Sequence, residues 1–414
     1  MKNLLWSLSA ALRIMGCKQE TDKSQVTVTL PTYSIEQMMD NENVGGGSFS
    51  PDKSEILVSS NRSGIYNMYT IPTGGGDFRP VTQSDSSSVF AISFFPEDSR
   101  KLFRMDDNGN EVYHIYLMGE DGSIRDLTPW DGARSLFYGW SDDKKSFFFA
   151  SNRRDKKYND LYEMNLESLT PEMVVKNEEG YRLLAISRDK KHLAMGKSIN
   201  TNDSDLYLYE RSSGTLTKIN ENQSANSAED FTPDDSALLY TTDYGAEFAY
   251  LMKYDIATGS REKVAEKQWD ITGSYFTDKC TYQVTYTNED AQNAIEITEV
   301  ATGYPLEMPI MEGMDINNVG FSSDESVLRF YAGGSNTPSN LFVYDLETKR
   351  ITQLTNVLNP EIDPGHLVKA EVIRYASFDG LEIPAIYYRP QQATDTQPVP
   401  ALVWVHGGPG GQSR

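Results

Sequence analysis

Cysteine and histidine are scarce in this sequence, with two and four residues among 414. So few thiols and imidazoles exclude a disulfide framework and leave too few ligands for a Cys/His metal cage. We therefore expect neither a metal nor a cofactor. Basic residues are also in the minority, with 38 Lys and Arg against 60 Asp and Glu and a net charge of −22. Because such a surface repels phosphate backbones, we expect no nucleic-acid partner.

A long apolar run is lacking as well. The first one, Leu4–Leu12, is too short to span a bilayer and has the length found in export signals. The residues that end at Cys17 resemble a bacterial lipobox, in which that cysteine is lipidated, but Arg13 and Met15 depart from the pattern. We predict a leader and tether over residues 1–24 and location in the periplasm or as a membrane-anchored lipoprotein. A cytoplasmic chain with an apolar start is the alternative.

What the sequence does contain is apolar residues, aromatic residues and turns. Hydrophobic residues make up 38% of the chain, enough for a sizeable core, so a wholly disordered chain is excluded. There are 24 Tyr and 30 Gly residues, and few segments have helical periodicity. This combination predicts an all-β chain with many turns.

A short phrase repeats along the chain: an aromatic or large apolar residue, one or two small or polar residues, and then Asp. Successive Asp positions are 44 to 46 residues apart. An Asp side chain that bonds the backbone two residues on makes a tight turn, so each phrase predicts the turn after a strand. The phrases are Phe49–Asp52, Phe95–Asp98, Trp140–Asp143, Ile186–Asp189, Phe231–Asp234, Phe276–Asp278 and Phe321–Asp324.

Each phrase is followed by an apolar run, a polar turn, a run rich in Tyr and a weaker fourth run. Four short strands in about 45 residues form the blade of a β-propeller. We therefore predict a seven-bladed β-propeller over residues 25–362, and a β-sandwich is less consistent with so regular a repeat. Residues 26–30 alternate like a strand and could close the ring by joining the last blade, which the sequence leaves open. Cys280 is interpreted as a small apolar residue buried in a strand-like run.

The repeat stops at residues 359–365, where two Pro and one Gly mark a domain boundary. Residues 370–390 then read as two strands joined at Asp379-Gly380, and residues 398–405 as a buried strand. That strand leads directly into His406-Gly-Gly-Pro-Gly. This order is typical of the start of an α/β-hydrolase domain, in which glycine N–H groups help to form an oxyanion hole. We predict a truncated hydrolase domain over residues 363–414.

The repeats resemble the propellers of TolB-like proteins and of the prolyl oligopeptidase family of serine peptidases. With the loop His406–Gly410, the chain resembles that family's acylaminoacyl-peptidase or dipeptidyl-peptidase-like branch. The resemblance implies a hydrolase that cleaves short peptides by acyl-enzyme chemistry, with the propeller limiting access, and the predicted leader implies that it is exported. It also implies that Gly407 and Gly408 contribute to the oxyanion hole, while His406 supports the loop.

No Gly-x-Ser-x-Gly motif, the sequence that carries the nucleophile in α/β-hydrolases, occurs in the 414 residues. The Ser, Asp and His of a triad are expected beyond residue 414, so we predict that this fragment is catalytically incomplete. We also expect residues 366–414 to be poorly ordered or to lean against the propeller. A stand-alone, TolB-like periplasmic propeller that acts as a binding module is the alternative. Substrate preference and oligomeric state are not predicted.

Overall fold

The structure, a computed structural model, describes residues 31–408 and 411–414. The leader with Cys17 and the strand predicted at residues 26–30 lie outside the described residues. Within the described part, seven small antiparallel sheets follow one another along the chain, and an eighth sheet of two strands comes after them. In each sheet, strands that are consecutive in sequence are neighbours, so every sheet is a simple meander. The predicted all-β, seven-bladed β-propeller is confirmed.

Blades 1 to 4 have four strands each. Blade 1 consists of β1 (Val44–Phe49), β2 (Glu55–Ser60), β3 (Asn67–Pro72) and β4 (Arg79–Pro80), and blade 2 of β5 (Val89–Phe94), β6 (Lys101–Met105), β7 (His114–Met118) and β8 (Ile124–Asp126). Blade 3 consists of β9 (Ser135–Trp140), β10 (Ser146–Asp155), β11 (Tyr158–Asn165) and β12 (Pro171–Val175), and blade 4 of β13 (Arg182–Ile186), β14 (His192–Asn200), β15 (Asp203–Glu210) and β16 (Thr215–Lys218).

Blade 5 consists of β17 (Asn226–Phe231), β18 (Ala237–Thr242), β19 (Tyr250–Asp255) and β20 (Arg261–Ala265). Blade 6 has three strands, β21 (Asp270–Phe276), β22 (Tyr282–Glu289) and β23 (Gln292–Glu299). Blade 7 consists of β24 (Asp315–Phe321), β25 (Val327–Gly334), β26 (Thr337–Asp345) and β27 (Ile351–Gln353). First strands of adjacent blades contact one another in the pairs β1–β5, β13–β17, β17–β21 and β24–β1, which places them on the inner side of the ring. Each first strand contains a β-bulge, which bends it locally.

The repeated phrase forms the turn between the first and second strands. In blade 1, the Ser50 hydroxyl donates to the Asp52 carboxylate, which in turn accepts the backbone N–H of Ser54. The Ser50 oxygen also accepts the N–H of Glu55. The turns that begin at Ser141, Ser187, Thr232 and Ser322 repeat this arrangement. The role predicted for Asp, a bond to the backbone two residues on, is confirmed in these five blades and also in blade 2, where Asp98 accepts the N–H of Arg100.

Blades 2 and 6 place Asp differently. In blade 2, the Phe95 N–H donates to the carbonyl of Arg100, just as the Ser50 N–H donates to the carbonyl of Glu55, so Phe95 is the equivalent of Ser50. Asp98 is three residues after Phe95, whereas Asp52 is two residues after Ser50. In blade 6, Asp278 lies one position earlier. Cys280 occupies the left-handed position of that turn with a φ of +57° and is only partly buried. The interpretation of Cys280 as a buried strand residue is therefore wrong, because the strand begins two residues later, at Tyr282.

The hydrophobic core of the described residues is divided into seven clusters, and each joins two neighbouring blades. One cluster places Phe95 and Leu102 of blade 2 against Phe147 and Tyr162 of blade 3. Another closes the ring by packing Ile56 of blade 1 with residues of blade 7. Burial of apolar side chains between blades, worth about 25 cal/mol per Å², therefore holds the propeller together.

The ring closes without exchange of a described strand, since blades 1 and 7 are each built from consecutive strands. The Lys53 ammonium pairs with Asp324 across this junction, and the Arg329 guanidinium donates to the carbonyl of Gly47. A Cβ at Gly47, whose φ is +121°, would lie 2.8 Å from the Arg329 Nε atom, so this close approach requires glycine.

The segments that flank the propeller cross beside this junction. The short helix α1 (Ile35–Met39) begins with a capping box formed by Ser34 and Gln37. The side chain of Asn359 donates to the carbonyl of Gln37, and the N–H of Glu42 bonds the carbonyl of Val357. No helix in the described ranges is long and apolar enough to cross a membrane.

The C-terminal segment forms the predicted hairpin, β28 (Glu371–Ala376) and β29 (Glu382–Tyr387), after a 3₁₀ turn at Pro364–His366. The buried strand predicted at residues 398–405 is not found: its described residues form no strand, and Leu402–Val405 are 80–89% exposed. This expectation was wrong because an apolar strand requires neighbours on both edges and faces, and no described segment pairs with it. The described residues contain no further part of a hydrolase domain.

Candidate functional site

The C-terminal segment lies on the face of the propeller that carries the turns between second and third strands. We call this the tail-side face. The Arg374 guanidinium is 2.7 Å from the Asp290 carboxylate, which belongs to the turn between β22 and β23. Near the end of the chain, Gln412 accepts a hydrogen bond from Asn288. In blade 7, the Ser335 hydroxyl accepts the N–H of Ala370. The chain therefore leaves the propeller across this face.

A cavity of about 460 Å³ is formed by residues of blades 1 to 3 at the same face. Its walls include residues near the start of three first strands, among them Val44, Phe90 and Leu136, and also Tyr66 from the turn between β2 and β3. The volume lies within the range of about 300–1,000 Å³ that is typical of small-molecule sites. The cavity can hold a short stretch of peptide, and we call it the blade 1–3 cavity.

Arg104 lines the blade 1–3 cavity and is held there by aromatic rings. It lies directly opposite Phe90 in the antiparallel pairing of β6 with β5. The guanidinium carbon is 5.2 Å from the ring centroids of both Phe90 and Tyr113. Tyr66 continues the aromatic group, with its ring centroid 4.9 Å from that of Phe90. Such contacts hold the face of the guanidinium and leave its N–H edge available to an acceptor.

Ser135, the first residue of β9, also lines this cavity. Its side chain is buried, and its hydroxyl has no hydrogen-bond partner among the residues that the structure describes. Buried hydroxyls are nearly always hydrogen-bonded in folded proteins. Sequence analysis did not identify Arg104 or Ser135, because only the pairing of strands across three blades brings them to one cavity.

Two further carboxylates missed by sequence analysis lie on β17, close to the axis of the ring. Asp230 accepts the backbone N–H groups of Phe231 and, across the blade boundary, Phe276. Glu229 accepts the N–H of Ser274 and the hydroxyl of Thr241. Burial raises the pKa of Glu229, and it raises the pKa of Asp230 to about 6. Their backbone partners indicate that both residues join blades 5 and 6.

The glycine loop predicted to form an oxyanion hole is exposed. Gly408 has a φ of +72°, in the region that favours glycine, and Gly407 has no atom placed to meet an added Cβ within 4 Å. The His406 Nδ1 atom lies 3.4 Å from the carbonyl oxygen of the adjacent Gly407. The roles of all three residues remain predictions, as does lipidation of Cys17, which lies outside the described residues. The described residues contain no group of three or more His, Cys, Asp or Glu able to hold a metal ion.

A family model and a curated relative point to the same family of proteins. The family model of the prolyl oligopeptidase N-terminal β-propeller domain matches residues 82–357. Dipeptidyl aminopeptidase BIII of Pseudoxanthomonas mexicana is 22% identical over 377 residues, which cover 87% of this chain and 54% of that protein.

Solved structures show the same fold. A prolyl endopeptidase, one of two compared for the role of inter-domain dynamics in catalysis and specificity, has a TM-score of 0.64 at 14% identity. The match covers 84% of this chain and 54% of that one. Prolyl oligopeptidase B from Galerina marginata has a TM-score of 0.62 at 17% identity, over 84% of this chain and 55% of that one. The chain thus spans about half the length of these relatives. By its propeller, the chain belongs to the prolyl oligopeptidase family.

Proposed function

We propose that this chain is the N-terminal part of an exported serine peptidase that cleaves short peptides through an acyl-enzyme. The observation that carries the proposal is that the exposed segment ending in His406-Gly-Gly continues from the tail-side face, where the blade 1–3 cavity opens. A catalytic domain built onto that segment would cover the cavity. The family match supports this interpretation, since the relatives' names are those of peptidases.

Each part would contribute differently to catalysis. The backbone N–H groups of Gly407 and Gly408 would stabilise the oxyanion, a contribution worth roughly 3 kcal/mol per donor in the transition state. The propeller would exclude folded proteins and admit peptides small enough to reach the cavity. The Ser, Asp and His of the triad would be supplied by sequence beyond residue 414.

The test compares the chain 1–414 with the product of its gene read beyond codon 414. We expect the longer product to contain Gly-x-Ser-x-Gly, to react with a fluorophosphonate probe and to hydrolyse dipeptidyl or acyl-peptide p-nitroanilides. The chain 1–414 should do neither, and an alanine variant of the elbow serine is the matched control. Cleavage by the chain 1–414 would contradict the assignment of the triad. A longer product without the motif or labelling would contradict the peptidase and favour the binding module.

We also propose that Cys17 is lipidated and anchors the protein to a membrane, on the support of the lipobox-like residues before it. In a bacterial host, the wild-type chain should sediment with membranes and incorporate labelled palmitate. Cys17→Ser should abolish both properties, whereas Cys280→Ser, which removes the other thiol, should leave them unchanged. A wild-type chain found only in the cytosolic fraction would contradict this proposal.

A further inference from the structure

We propose that the blade 1–3 cavity is a carboxylate-binding site in which Arg104 and Ser135 hold the C-terminal carboxylate of a short peptide. The proposal rests on the proposed function only in identifying the carrier of the carboxylate as a peptide. The observation that carries it is a partly buried cation that lines a cavity without an anion beside it, in a protein that is strongly acidic.

The charge of the cavity is opposite to that of the protein. Arg104 is the only charged residue among those that line it, and no Asp or Glu is present there, although the chain has 60 acidic residues and a net charge of −22. Across the part of the chain that the structure describes, the Arg104 guanidinium stacks on Phe90 and Tyr113 but makes no hydrogen bond or ion pair. A cavity with this charge attracts a carboxylate and repels the ammonium group of a peptide N-terminus.

The geometry of Arg104 suits a planar anion. The rings of Phe90 and Tyr113 hold its position, so little side-chain entropy remains to be lost when a ligand binds. Its N–H groups form a rigid fork that matches the two oxygens of a carboxylate, and such charge-assisted hydrogen bonds are about twice as strong as neutral ones.

Ser135 supplies an independent indication of a ligand. The residue is 4% exposed, and its hydroxyl is without a hydrogen-bond partner among the described residues. A buried hydroxyl without a partner is unfavourable, and a carboxylate oxygen beside Arg104 would provide the missing acceptor. The remaining wall includes Ile92 and Phe137, which would contact the apolar part of the peptide.

The test measures binding of N-acetyl-trialanine and of its C-terminal amide to the chain 1–414 by isothermal titration calorimetry. The two probes differ only in the carboxylate. We expect the acid to bind at least tenfold more tightly, a preference that decreases as the salt concentration rises. Arg104→Met keeps an apolar side chain against the rings and should abolish the preference. Arg104→Lys should keep part of it, and Ser135→Ala should reduce it severalfold.

Arg125→Met is the matched control, because Arg125 is an exposed residue of β8 in the same blade and outside the cavity. It should retain the full preference for the acid. Three results would each overturn the proposal. One is equal binding of acid and amide to the wild type, and another is an unchanged preference in Arg104→Met. The third is no binding of either probe at roughly 5–10 mM, a concentration that would nearly saturate a site with a Kd of about 1 mM. Because binding is measured without hydrolysis, its outcome is independent of whether the longer gene product is a peptidase.

Discussion

At the scale of single residues, the described structure separates groups that the sequence makes look alike. Asp230 and Asp234 stand four positions apart, yet their environments have opposite effects. Burial raises the pKa of Asp230 to about 6, whereas hydrogen bonds from Thr232 and Ser236 lower the pKa of Asp234. The sequence predicted the turn that contains Asp234, because that pattern is local. It could not predict Asp230, whose partner Phe276 is supplied by the next blade.

Asp230 should make the stability of the propeller depend on pH. Because its pKa in the folded state is above the ordinary value of 3.8, the folded protein binds more protons than the unfolded chain between about pH 3.8 and 6. Its contribution to stability is therefore fully present below pH 3.8 and is lost as pH rises through about 6. Asp230→Asn cannot titrate, so thermal unfolding at pH 4.5 and 7.5 should show the variant gaining stability relative to the wild type at the higher pH.

The control is Asp234→Asn. The low pKa of Asp234 means that its contribution is lost only as pH falls below about 3.8, so the difference between this variant and the wild type should be nearly the same at pH 4.5 and 7.5. A constant difference for Asp230→Asn over the same interval would show that Asp230 is already ionised at pH 4.5.

At the scale of elements, the sequence predicted the repeat but not every strand. The turn phrase is encoded locally, which is why seven blades could be counted. The alignment of the turns between blades could not be predicted from the phrase alone. In blade 2, Phe95 occupies the position equivalent to Ser50, and only the backbone hydrogen bonds reveal this. Blade 6 also has a reduced fourth strand, a single bridge between Thr298 and Pro305. Proline has no N–H to donate, so it limits the pairing there.

The candidate site depended even more on context. The cavity collects residues from three blades whose separation in sequence exceeds 90 positions, as between Val44 and Leu136. Neither the stacking of Arg104 nor the unpartnered hydroxyl of Ser135 leaves a pattern in the sequence. In contrast, His406-Gly-Gly was conspicuous in the sequence, and its geometry depends on neighbours that the described residues do not include.

At the scale of the whole molecule, the junction between blades 1 and 7 should depend on apolar contacts more than on charge. Leu341 is fully buried in the cluster that spans the junction, so Leu341→Ala should lower the free energy of unfolding by about 2–5 kcal/mol. Lys53 and Asp324 are both partly exposed, so Lys53→Met should cost less than about 1 kcal/mol. Chemical unfolding of the two variants measures both values.

Leu238→Ala is the matched control, because Leu238 is equally buried but belongs to the cluster between blades 4 and 5. Hydrogen exchange should increase in blades 1 and 7 for Leu341→Ala and in blades 4 and 5 for Leu238→Ala. Equal increases around the ring in both variants would indicate that the junction has no stability of its own.

The division of the core into seven clusters has a consequence for how such a protein can evolve. Every apolar cluster is shared by two neighbours, so a harmful substitution is felt by one pair of blades while the others keep their contacts. Duplication or deletion of the gene segment that encodes one blade would change the number of shared clusters, and the remaining pairs of blades could keep the contacts that they already make. Tolerance of sequence divergence, as in relatives that retain the fold at 14–17% identity, follows from this arrangement.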